Sequence, residues 1–233
     1  MADQDARDPL RRLRPAFPDF DSMVRGHTVV DFGCGTGHQV VALAAAGAKH
    51  VVGVEMREKL LEVGRELARA QRVEDRVEFR SSVSSDLHER FDLAISQNSM
   101  EHFAEPVAAL LQIAALLRPG GYLLVTFCPT WYSPYGSHMH FFTRVPWVHL
   151  LFSERTVLAV RARFRSDGAK RYEDIEGGLN RMSLRKFGRV VAQSGLRARR
   201  TTYVPVKGLP VVTSVPVIRE LLTNRVNCVL QKA

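Results

Sequence analysis

Residues 29–38 read Val29-Val30-Asp31-Phe32-Gly33-Cys34-Gly35-Thr36-Gly37-His38, and Glu55 follows Asp31 by 24 residues, closing the run Val51-Val52-Gly53-Val54-Glu55. This order describes a buried strand, a glycine-rich turn, a helix, a second apolar strand and an acid at that strand's tip. Gly33, Gly35 and Gly37 permit positive φ and let a ligand approach the backbone with no Cβ in the way. The spacing is Gly-x-Gly-x-Gly, not the Gly-x-Gly-x-x-Gly of dinucleotide sites, and no Lys-Ser/Thr pair follows as in a phosphate-cradling loop.

The alternation continues outward. Thr28–Phe32 reads as strand one, Gly37–Ala46 as a helix stopped by Gly47, and Val51–Val54 as strand two. Met56–Gln71 is an amphipathic helix with Leu60, Leu61, Val63, Gly64, Leu67 and Ala68 facing inward. Arg76–Arg80 and Phe91–Ser96 are strands three and four. Glu105–Leu117 is a helix with Pro106 in its first turn, Arg118–Gly121 a turn, and Tyr122–Phe127 strand five. Strands alternating with helices predict an α/β fold: a Rossmann-like, doubly wound, mainly parallel sheet with ligands at the carboxyl ends of its strands. The rhythm breaks over residues 129–182, where seven aromatics fall within residues 131–152. It resumes with a helix at Ser183–Ser194, a strand at Leu196–Val204, a Pro- and Val-rich excursion at Pro205–Pro216, a helix at Val217–Thr223 and a strand at Arg225–Gln231. The expected organisation is a lead-in over 1–27, frayed to Arg14; a cofactor-binding core over 28–128; an insert over 129–182 forming a substrate lid; and the C-terminal part of the sheet over 183–233.

At 233 residues and 45% hydrophobic content, the chain suits one elaborated domain. No apolar run reaches the roughly 18–20 residues of a membrane span. Met1–Arg14 lacks the apolar centre of a signal peptide, which predicts a cytoplasmic location. Cys34, Cys128 and Cys228 are isolated, so neither a disulfide framework nor a metal site is expected. Charge is uneven: residues 1–128 carry 15 Lys and Arg against 18 Asp and Glu, and residues 129–233 carry 18 against 6. The basic half predicts either an anionic partner or a merely solvated surface.

With Asp31 leading and Glu55 trailing, the opening segment resembles motif I and the following acidic position of class I S-adenosylmethionine (SAM) dependent methyltransferases. Phe91-Asp92-Leu93-Ala94-Ile95-Ser96 resembles motif IV. Ser99-Met100-Glu101-His102-Phe103 resembles the Glu-His signature of the type 11 subgroup, and Leu116–Leu123 resembles its "L-[RK]-P-G-G" entry to strand five. The resemblance covers about residues 28–128 and is specific for fold and cofactor, not for substrate. It implies that SAM is the cofactor, that Asp31 organises the glycine turn, and that Gly33, Cys34, Gly35 and Gly37 pass under the methionine portion. Glu55 would accept from the ribose hydroxyls, Met56 would pack on adenine, and Gln97 and Asn98 would lie near the sulfonium. Ser82 stands where the family often has an acid, leaving the adenine contact to Ser82, Val83 or Asp86. Residues 129–138 and 146–152 are similar to the insert of bacterial type 11 enzymes.

Methyl transfer is an in-line displacement, so the protein aligns the acceptor and excludes water. A hydroxyl acceptor also needs a base, and a histidine suits that role near neutrality. The candidates are His138 and His140, which share a side if that stretch is extended, and His102, which could instead start a helix and shape the pocket. His149, among Trp147, Leu150 and Leu151, reads as a packed core residue. The aromatic stretch predicts either a wall for an apolar or sugar-ring substrate or a mini-core. The run Arg161-Ala162-Arg163-Phe164-Arg165 is either solvated or holds a phosphate. The expected function is SAM-dependent methylation of a small molecule, as O-methylation of a sugar or natural product. Two rivals stand beside it: an RNA methyltransferase, and a SAM-binding protein without transfer, serving as cyclase or scaffold. Nucleic acid is disfavoured because strand four ends Ser-Gln-Asn, not Asn/Asp-Pro-Pro-Tyr. The sequence leaves oligomeric state open.

Overall fold

The computed structural model describes residues 8–175, 177–206 and 215–233. Two short helices, α1 (Leu13–Ala16) and α2 (Phe20–Val24), lead into β1 (Thr28–Phe32), α3 (His38–Ala45), β2 (His50–Val54), α4 (Glu58–Ala70), β3 (Val77–Arg80), β4 (Phe91–Gln97), α5 (Pro106–Leu116) and β5 (Leu117–Phe127). Helices α6 (Val148–Leu151) and α7 (Glu154–Arg161) follow, and then α8 (Leu184–Gln193), β6 (Leu196–Pro205), α9 (Pro216–Leu222) and β7 (Thr223–Lys232). The seven strands order as β3-β2-β1-β4-β5-β7-β6. The first five are parallel, and β7 runs antiparallel between β5 and β6. Among the described residues, no helix is long and apolar enough to cross a membrane.

Successive residues of each central strand point to opposite faces. Val30, Val52, Leu123 and Val125 join a core covered by α5 and α8, while Val29, Val51 and Leu124 join one covered by α3, α4 and the N-terminal helices. The sheet is therefore packed on both sides, as its near-continuous apolar strands require. Ser183 caps α8 by accepting from Lys186 N–H, and Pro106 occupies the first turn of α5.

Three local expectations are corrected. From residue 8 onward the lead-in is packed, not frayed: Leu13, Phe17 and Phe20 are fully buried against the sheet. Each such side chain contributes roughly 1.5–3 kcal/mol by leaving water. Val63 is exposed, because the stripe Leu61, Gly64, Ala68, flanked by Leu67, faces the core and Val63 lies off it. Strand five begins earlier than Tyr122, with Leu117 pairing Phe91. The ladder then skips to Tyr122 opposite Leu93, so Arg118–Gly121 bulges outward with Gly120 at φ +77°. Part of the excursion expected at Pro205–Pro216, residues 207–214, lies outside the described residues, as do residues 1–7 of the expected frayed tail.

Between β5 and α8 the described residues add no strand. They pack a third, small core from Trp131, Met139, Val157, Leu158, Tyr172 and Leu179. Trp131 and His149 sit inside it, with His149 Nε2–H donating to Trp131 O (2.6 Å). His149 is thus the packed residue expected, and Trp131 belongs to the mini-core, not to a substrate wall.

Candidate active site

The sheet order places the carboxyl ends of β3, β2, β1 and β4 side by side, which brings most residues proposed for the cofactor along one edge. After β1 the chain turns back. Gly33 N–H and Cys34 N–H both donate to Val54 O (2.8 and 3.0 Å), fastening the glycine turn to the end of β2. The three glycines do different work. A Cβ on Gly37 would lie 2.7 Å from Phe79 and 2.9 Å from Gly64 Cα, so Gly37 allows α3 to approach α4. A Cβ on Gly33 would lie 2.8 Å from Ser99 Oγ, so the turn touches the segment after β4. At Gly35 (φ +53°) a Cβ would meet nothing within 4 Å, and the backbone there faces open space. Cys34 lies in the same turn. Its side chain is buried toward Gly53 in the core, and burial, with Asp31 and Glu55 nearby, pushes its thiol well up. Only its backbone remains available to a ligand.

Asp31 is buried, and desolvation pushes its carboxyl up to about 7 despite a hydrogen bond from Gln39. Among the described residues its Oδ2 has no partner, nor does the buried Gln97 Oε1. Burial opposes ionisation of Glu55, but the Arg57 side chain and N–H, with Gly35 N–H, outweigh it and hold the carboxyl below its ordinary range. Met56, beside it, is 87% exposed. Ser82 is exposed and Val83 packs against the α5-side core, while Asp86 is engaged by Ser84 and Arg80. Asn98 adopts φ +52°, its N–H donates to Thr126 O (2.8 Å), and its Oδ1 accepts from Cys128 Sγ (3.5 Å).

Residues 99–103 run from the glycine turn toward residues 137–141, Ile175 and residues 177–179. Phe103 packs edge-on against Phe32. His102 Nδ1–H donates to Gly178 O (2.7 Å); a carbonyl only accepts, so the lone pair is on Nε2. The rings of His102 and His138 meet edge-to-face with centroids 5.5 Å apart. His138 sits at φ +61° before a 3-10 turn, Met139–Phe141, so the stretch is not extended. His138 is largely buried and His140 exposed, but both line the same cavity. Burial, with His102 and His140 nearby, pushes His138 down to about 4, below the neutral range expected of it. Its Nε2 is buried without a partner among the described residues, as is Ser137 Oγ. The cavity, of about 360 Å³, has an apolar lining of Met139, Phe141, Ile175 and Leu179, with His102, Ser137 and His138 as its polar groups and Arg161 and Arg165 also on its wall.

Two residues escaped the sequence reading as site residues. Asn180 Nδ2 donates to Met100 O and Phe103 O (both 2.8 Å), and Asn180 N–H donates to Glu101 O (3.0 Å). Nothing local to Asn180 signals a partner roughly 80 residues away. Glu101 was visible in the Glu-His pair, but its setting was not. It is 3% exposed, accepts from Cys128 N–H (3.2 Å), leaves Oε2 unpartnered, and is pushed by burial to about 7. Among the described residues, no group of three or more His, Cys, Asp or Glu side chains could hold a metal ion.

A family model described as a methyltransferase domain matches residues 24–141, and the chain belongs to that family. More narrowly, it is a member of the class I SAM-dependent methyltransferases, of the type 11-like group, whose cofactor is SAM. It is 36% identical over 105 residues to a demethylmenaquinone methyltransferase of Clavibacter sepedonicus (44% of this chain, 41% of that one). It is 34% identical over 116 residues to a ubiquinone biosynthesis O-methyltransferase of Neisseria meningitidis (48% of each). The chain spans about half the length of the curated relatives it matches. The crystal structure of a SAM-dependent methyltransferase from Mesorhizobium loti superposes with a TM-score of 0.60 at 18% identity, covering 94% of this chain and 96% of that one. That likeness is one of fold.

Proposed function

We propose that this protein methylates a hydroxyl of a small-molecule acceptor, a natural product or a sugar, held in the cavity lined by His102, Ser137 and His138. One observation carries the reading: the Ser99–Phe103 segment touches the glycine turn at one end and forms the cavity wall at the other. The site's residues fit SAM. The unpartnered Asp31 Oδ2 and Gln97 Oε1 can accept from it, Gly35 leaves room for it, and Glu55 offers an acceptor-only carboxylate. Gly33 and Gly37 shape the turn, Met56 covers the adenine, and Ser82, Val83 and Asn98 complete the surround. When bound, SAM supplies an electrophilic methyl group on a sulfonium.

Residues 129–182 act as the lid that positions the acceptor and excludes water. His102 takes the hydroxyl proton at Nε2, because its Nδ1–H is already anchored to Gly178 O, which fixes the ring. His138, neutral at assay pH, accepts a hydrogen bond and orients the hydroxyl; His140 lies at the cavity's exposed side. The names of the O-methylating relatives support oxygen as the acceptor atom. The test is conversion of SAM to S-adenosylhomocysteine (SAH) against a panel of hydroxylated acceptors, with His102→Gln and His138→Gln at saturating SAM. Loss of a base costs about 10²- to 10⁴-fold in kcat. Losses under tenfold in both variants would leave proximity and orientation as the source of rate.

A further inference from the structure

We propose that the acceptor carries a carboxylate or phosphate group, and that Arg165 is the specificity-determining residue that anchors it. This rests on the reading of the cavity as the acceptor site. Two arginines line that cavity, and they differ in state. Arg161 is buried and bound bidentately by Asp167 (2.5 and 2.6 Å), so its charge is already matched. Arg165 has no carboxylate at ion-pair distance among the described residues; its guanidinium lies over the Phe141 ring, 4.9 Å from the centroid. Phe141 in turn meets Phe142 and Phe164, so the cation rests on an aromatic platform that limits its motion.

No acidic side chain lines the cavity among the described residues, so the positive charge that Arg165 brings to this mixed polar and apolar space is matched by none of them. The polar groups are set for a ligand too: among the described residues Ser137 Oγ is wholly buried without a partner, and so is the atom His138 Nε2. The cavity lining thus combines three kinds of group: hydrogen-bonding side chains at His102, Ser137 and His138, apolar ones at Met139, Ile175 and Leu179, and the exposed cation of Arg165. An amphiphilic acceptor with a hydroxyl and an anionic group matches all three. The run expected to be either solvated or phosphate-binding therefore divides: Arg161 is structural, Arg163 is exposed outside the cavity, and Arg165 alone offers an anion site.

The test uses 2-naphthoate, 2-naphthyl phosphate and neutral 2-naphthol as probes of the full chain saturated with SAH, with Kd from ligand-observed NMR. The anionic probes should bind more tightly than 2-naphthol, and their order tells carboxylate from phosphate. Arg165→Gln should weaken the anionic probes by about tenfold or more, as expected for a charge-assisted pair, and leave 2-naphthol within twofold. Arg163→Gln should change none of them. Equal binding of charged and neutral probes, equal effects of the two substitutions, or no binding of any probe would overturn the proposal. SAH affinity, measured by calorimetry on the same samples, separates this outcome from failure of the cofactor site itself.

Discussion

At the scale of single residues, the acids at the strand ends have opposite characters. Glu55 is held ionised by hydrogen bonds, whereas Asp31 and Glu101 are buried and pushed to about 7. Glu55→Gln should weaken SAH binding by on the order of 2 kcal/mol in calorimetry, the scale of lost charge-assisted bonds. Arg57→Gln should cost far less, because an exposed ion pair is worth under about 1 kcal/mol. Unchanged affinity in Glu55→Gln would sink the ribose role. Glu101 makes a stability prediction. Its folded value, about 7, lies above its ordinary 4.5, so the native state keeps a proton that the unfolded chain releases. That contribution is full below pH 4.5 and is lost as pH rises through about 7, at up to about 1.4 kcal/mol per pH unit. Asp31 has the same sign. His138 has the opposite one: depressed from 6.5 to about 4, it adds stability above 6.5 that is lost as pH falls toward 4. Glu101→Gln should flatten the decline of unfolding free energy between pH 5 and 8 in urea titrations; an unaltered profile refutes the buried proton.

At the scale of elements, the segment after β4 is held by residues distant in sequence. Asn180 closes three hydrogen bonds onto residues 100–103, and Gly178 fixes His102. Neutral hydrogen bonds contribute about 1 kcal/mol each, and an orphaned buried carbonyl costs more. Asn180→Ala should therefore destabilise the fold by roughly 2–3 kcal/mol. It should also lower kcat more than it weakens SAH, because it frees residues 100–103, which carry the proposed base His102, and leaves the glycine turn fastened to Val54. Equal losses in kcat and SAH affinity would show that Asn180 supports the whole cleft. The α3–α4 approach at Gly37 explains why the motif's last glycine is a packing residue as much as a ligand-facing one.

For the whole molecule, the sheet is packed on both faces, and Trp131, Met139, Val157, Leu158, Tyr172 and Leu179 form a small separate core. A ligand that binds only the folded state stabilises it by mass action. SAH at a hundred times its Kd should add about 2.7 kcal/mol and raise Tm by roughly 5–10 °C for a chain of this size. Differential scanning fluorimetry reads this directly, and an unshifted Tm at saturating SAH would contradict the cofactor site.

The glycine turn, the acid at the tip of β2 and the parallel sheet are legible in the sequence because each depends on spacing within about 30 residues. Strand, turn and helix are dictated there by apolar periodicity and by glycines at positive φ. The same local logic misplaces Val63 and leaves the direction of the Cys34 side chain open, because each depends on which neighbour fills the space beside it. It also leaves His102, His138 and His140 as three separate candidates. Only the tertiary structure joins them, since the Gly178 carbonyl that orients His102 comes from 76 residues away. It alone separates Arg161, neutralised by Asp167, from Arg165, left open above Phe141. Spacing determines which residue types reach the carboxyl ends of the strands; burial and partners brought by distant chain determine which of them can accept a proton or hold a charge.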